Sequence, residues 1–95
     1  MSRSGMGQDV ARDLQEEIWR EVHRAFARRR DEEGLTQAEL ARRMGLQRER
    51  VHYWLSRPEH MTLKAAARLL AGMDARLECR TRALEPARPP FEQAA

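Results

Sequence analysis

The sequence has a single cysteine among its 95 residues. No disulfide can close within the chain, and nothing points to an oxidising compartment. Aromatic residues make up only 5%, too few for the strands of an all-β domain. No apolar run approaches the roughly 20 residues that cross a bilayer. Residues 1–8 carry no signal-peptide core, so the expected compartment is the cytoplasm and no membrane partner is expected. His23, His52 and His60 share no metal-ligand spacing with one another or with Cys79. A glycine-rich phosphate loop and a Ser/His/Asp set are also missing, so neither an enzyme nor a cofactor is expected.

What is present is charge, placed unevenly. The net charge is +3, which permits a nucleic-acid partner without requiring one. Residues 9–33 hold eight acids against six arginines, whereas residues 34–60 hold five arginines against three glutamates. Residues 61–95 are basic again. An acidic first segment and a basic remainder favour one positive face.

Apolar spacing organises the chain. Residues 1–8 are rich in Ser and Gly and read as a disordered terminus. Val10, Leu14, Ile18, Val22 and Phe26 recur every fourth residue with Ala25 beside them, predicting a helix over about 9–32 that Gly34 ends. Thr36 is an N-cap with Glu39 in capping-box position. A short helix over 37–44 then has Leu40, Ala41 and Met44 inside. After Gly45, a third helix over about 48–56 turns Val51, Trp54 and Leu55 inward. Pro58 marks a loop, and Thr62 caps a fourth helix whose expected inner stripe is Leu63, Ala66, Ala67, Leu70 and Met73. Leu77, Cys79, Thr81 and Ala83 alternate with charged residues, which predicts a strand over 76–83 that needs a partner. Residues 85–95 contain three prolines and read as a disordered tail. The whole predicts one all-α domain over 9–84, with four helices and a short C-terminal strand.

The segment over 37–55 carries the functional expectation. Two short helices crossing steeply need a small residue where they touch, supplied by Ala41, and a residue that accepts positive φ at the turn, supplied by Gly45. GLTQAELARRMG over residues 34–45 resembles the Xre, or lambda-repressor-like, helix-turn-helix family. MTLKAAARLL over 61–70 is similar to the helix that follows the motif in small Xre regulators, and the likeness covers about residues 18–82. The resemblance implies a helical domain, often dimeric, that binds operator DNA. The chain departs from the pattern at Asp74, where glycine is common. It departs again at Leu55, where a glutamate often pairs with an arginine of the first helix, a change that would leave Arg30 free for phosphate.

The physics of groove reading points to the same residues. The N-terminal and outer positions of the third helix are Arg48, Glu49, His52 and Tyr53, the expected base readers: Arg48 suits guanine O6/N7 and Glu49 accepts from cytosine N4. Gln37, Arg43, Arg50, Arg57 and Arg30 are the expected phosphate contacts. Arg28, Arg29 and Arg30 serve equally well as a solvated helix end. Trp54 reads as core, Trp19 as core edge or dimer contact, and Cys79 as a small packed side chain. The expected partner is double-stranded DNA, bound by a homodimer joined through Leu77, Cys79 and Thr81 of the 76–83 strand, with the long first helix as the other possible interface. The reading is an (auto)repressor on a palindromic operator. The alternative is an antitoxin that neutralises a protein toxin through the acidic first helix or the 85–95 tail.

Overall fold

The computed structural model describes residues 3–83, with side chains from residue 9 onward. Four helices follow in order: α1 (Arg3–Glu33), α2 (Gln37–Met44), α3 (Arg48–Ser56) and α4 (Leu63–Gly72), with a 3-10 turn over Pro58–His60. No helix among them is long and apolar enough to cross a membrane. The tail over 85–95 lies outside the described residues.

Local chemistry accounts for the helix ends. The Glu39 backbone N–H donates to Thr36 Oγ1 at 3.1 Å, and Ala65 N–H to Thr62 Oγ1 at 3.0 Å. Glu39 makes only half of the expected capping box. Its carboxylate turns to Arg42 and Arg43, because charged partners one turn on outbid the lone amide of Thr36. At the end of α2, Gly45 at φ +70° places Leu46 N–H on Ala41 O (2.9 Å) and its own N–H on Arg42 O (3.2 Å). Asp74 at φ +57° repeats that bond pattern after α4, with Ala75 N–H on Leu70 O and Asp74 N–H on Ala71 O. A short polar side chain tolerates the left-handed region there. A Cβ at Gly45 would meet nothing within 4 Å. Gly45→Ala is therefore expected to cost backbone strain alone, roughly 1–2 kcal/mol, read as a lower urea midpoint at unchanged slope.

The core joins Ile18 and Val22 of α1, Leu35 of the link that follows it, Leu40 and Ala41 of α2, Val51 and Leu55 of α3, Met61, and Ala65, Ala66, Leu69 and Leu70 of α4 with Met73 behind them. Gly72 lets α4 close on α2: a Cβ there would stand 2.9 Å from Leu40 Cδ1 and from Met44 Cγ. A row of α1 side chains then caps carbonyls distant in sequence. Gln15 Nε2 donates to Met61 O (3.1 Å) and Glu59 O (3.3 Å), Trp19 Nε1 to Leu55 O (3.0 Å), and Arg29 Nε to Met73 O (3.1 Å). His23 Nε2 lies 2.7 Å from the same Leu55 oxygen. A carbonyl only accepts, so Nε2 carries the proton.

Four expectations change. Helix α1 begins at Arg3, six residues ahead of the expected start, because elongation adds one hydrogen bond per residue once a helix is nucleated. Its stripe is only partly covered: Val10 is 57% and Leu14 54% exposed. At about 1.5 Å per residue, the 31 residues of α1 outrun partners of 8, 9 and 10 residues. The inner face of α4 is rotated from the expected stripe: Leu63 is 72% exposed and Ala67 is exposed, while Ala65 and Leu69 are buried. Residues 75–83 contain no strand. Among the described residues the segment has no strand edge to pair with, and Leu77 packs half-buried against the core while Cys79 and Thr81 are exposed.

Candidate nucleic-acid interface

Helix α3 is held from one side and open on the other. Val51 and Leu55 are buried, and the Leu55 carbonyl is bound by Trp19 and His23. Opposite them Arg48, Glu49, His52 and Tyr53 are all exposed, at the i, i+1, i+4, i+5 spacing that puts residues on one helix face. All four expected base readers are thus brought together. Arg48 and Glu49 form no ion pair with any described residue. His52 Nδ1 lies 3.3 Å from Gln37 Oε1, tying the face of α3 to the first residue of α2. With Nδ1–H donating to that oxygen, Nε2 is left as an acceptor. The Tyr53 ring stacks on His60 at 3.8 Å and 7° between planes. Its carbonyl accepts from Ser56 Oγ and His60 Nδ1, both at 2.9 Å. The 3-10 turn therefore sets the direction of Tyr53.

The expected phosphate contacts separate into groups. Gln37 stands beside the α3 face. The Arg50 guanidinium lies 5.8 Å from the centre of the Trp54 ring. Arg57 pairs with Glu59 at 3.7 Å, and Arg30 with its neighbour Asp31 at 3.5 Å, both exposed to solvent. Arg43 is the most engaged: it bonds Glu33 at 3.1 Å and lies 3.6 Å from Glu39. The hydrogen bond to Glu33 and the attraction of both carboxylates push its pKa up from the ordinary arginine value. Any phosphate at Arg43 would compete with two acids. Leu55, the departure noted in the sequence, turns its side chain into the core, so nothing in that position reaches for Arg30.

Sequence reasoning missed Arg68. From α4 its guanidinium comes within 5.9 Å of the same Trp54 ring that Arg50 approaches, an attraction between cation and ring face. Trp54 is half-buried and joins the two arginines across α3 and α4. Only the fold brings residues 54 and 68 together, so no local pattern could have found the pair. Among the described residues no group of His, Cys, Asp and Glu could hold a metal ion. Comparison with protein-family models, with curated proteins and with solved structures finds no match.

Proposed function

We propose that this protein is a sequence-specific DNA-binding regulator of transcription, a helix-turn-helix of the lambda-repressor type in which α2 positions and α3 reads. The observation that carries the reading is the outer face of α3: four side chains suited to base edges, exposed together, on a helix anchored by its opposite face and its C-terminal carbonyl. Arg48 reads guanine O6/N7, Glu49 accepts from cytosine N4, and His52 Nε2 accepts from an amino group of adenine or cytosine. Gln37 meets a phosphate and steadies His52. In this reading the chain is a cytoplasmic dimer on a palindromic operator, and it represses by occupying a promoter.

Selection of random duplexes by the purified chain, at a stated salt concentration, tests the reading. An enriched palindrome carries it. Weak, salt-sensitive binding with no enrichment overturns it and moves the protein to the antitoxin reading, with the exposed apolar residues of α1 as the contact for a toxin. Arg68 joins Arg50 in the phosphate-contacting set. Arg68→Ala is expected to weaken binding evenly across sequences and to lower the slope of log K against log salt by about one. Measured against the same duplex, an unchanged slope removes Arg68 from the interface.

A further inference from the structure

We propose that the exposed seam of α1 through Leu14, Glu17, Glu21, Arg24 and Arg28 is the docking surface for a second copy of this chain, with the two α1 helices antiparallel. These residues are spaced 3, 4, 3 and 4 apart, the 3.5-residue repeat along which two helices run side by side. All five are exposed, and Leu14 is one of the two large hydrophobic side chains, with Val10, that the fold leaves uncovered among the described residues of α1. The seam borders an open groove between α1 and residues 75–80, whose apolar floor includes Ile18, Ala25 and Leu77.

The order of charge identifies the occupant. From the N-terminus the seam reads one apolar residue, two acids, two arginines. Reversed, its charged part is its own complement. A two-fold axis between Glu21 and Arg24 sets Glu21 of each copy against Arg24 of the other and Glu17 against Arg28. The same axis sets Leu14 against Asp31, next to the aliphatic stem of Arg28, and leaves Val10 beyond the end of the partner copy's α1. Within the chain Glu21 already pairs with Arg24, so the second copy extends that pair into a network across the axis. A parallel arrangement would place like charges together and is disfavoured. At about 100° per residue, the side of α1 that holds Leu55 O through Trp19 and His23 lies across the helix from Glu21. A partner on the seam leaves the outer face of α3 uncovered in both copies.

This surface rests on the dimer of the proposed function, but not on DNA binding. Sedimentation velocity of the full chain in the high micromolar range tests it. The native chain is expected to sediment as a dimer, and E17R/E21R and R24E/R28E each as a monomer. Their equimolar mixture should regain a dimer, with association tighter by roughly tenfold or more than in either variant alone. The chain carrying all four reversals keeps the pairing of residues 21 and 24 and restores self-complementarity, so it should dimerise by itself. That chain carries the test if circular dichroism finds either double variant unfolded. A monomeric native chain, or double variants that remain dimeric, would overturn the proposal, the second result placing the interface on another surface such as residues 76–83. Duplex selection run in parallel separates the two readings. A monomeric chain that enriches a single half-site overturns the seam alone. A dimer that obeys the charge swap and enriches nothing supports the seam and overturns DNA reading.

Discussion

Leu69→Ala is expected to destabilise the protein by about 2–5 kcal/mol, a large part of the roughly 5–15 kcal/mol that holds a small domain together. Leu69 is wholly buried on α4, in the cluster that ties Leu40 of α2 to Met73. Removing three carbons there loses apolar contact and leaves a cavity that surrounding helices cannot fully close. The matched control is Leu63→Ala on the same helix. Leu63 is 72% exposed, so its loss is expected to stay within about 0.5 kcal/mol. The spacing of apolar residues alone points inward at Leu63 instead, so the pair decides which face of α4 the core uses. Urea denaturation followed by circular dichroism gives both numbers. Equal costs at the two positions would overturn the packing described for α4.

Arg48→Ala is expected to leave folding intact and to cost about 1–3 kcal/mol of discrimination at one base pair, roughly a tenfold to hundredfold loss on the selected duplex. The side chain is exposed and forms no ion pair with a described residue, so its removal leaves no buried group unpaired. The diagnostic is where the loss appears. If Arg48 reads guanine, the variant binds the selected duplex and one with that guanine replaced almost equally, and every other position keeps its preference. Arg57→Ala is the contrast: Arg57 sits in a solvated pair with Glu59 at the end of α3, and its loss should lower affinity evenly over all sequences. A uniform loss for Arg48 as well would make it a phosphate contact and leave base reading to Glu49, His52 and Tyr53.

Much of the candidate interface was legible in the sequence because its determinants are local. The bounds of α2 and α3, the N-caps Thr36 and Thr62, and the left-handed turn at Gly45 each depend on residues within about one helical turn of one another. Given Val51 and Leu55 inside, the period of the helix puts Arg48, Glu49, His52 and Tyr53 outside. The supports of that face were not legible. Trp19, read as core edge or dimer contact, packs partly buried against the core and also caps a carbonyl 36 residues away. Arg29, one of three adjacent arginines, reaches the end of α4, while Arg30 beside it stays in solvent. Neighbours identical in type and nearly identical in position separate only when the packing partner is known.

The sequence by itself determined the four helices, their order, their caps and the outward set on α3, since hydrogen bonding, capping and helical period act over a few residues. Tertiary structure decided which part of each apolar stripe is covered. The long α1 outruns its short partners and leaves Val10 and Leu14 open, α4 turns Leu69 inward and Leu63 out, and residues 76–83 find no edge to pair with among the described residues. It also decided which charges are spent on the fold, binding Arg43 to Glu33 and Arg29 to Met73 while gathering Arg50 and Arg68 around Trp54. Burial and charge pairing depend on what lies across the gap, and that neighbour comes from another element, 10 residues away for Arg43 and 44 for Arg29.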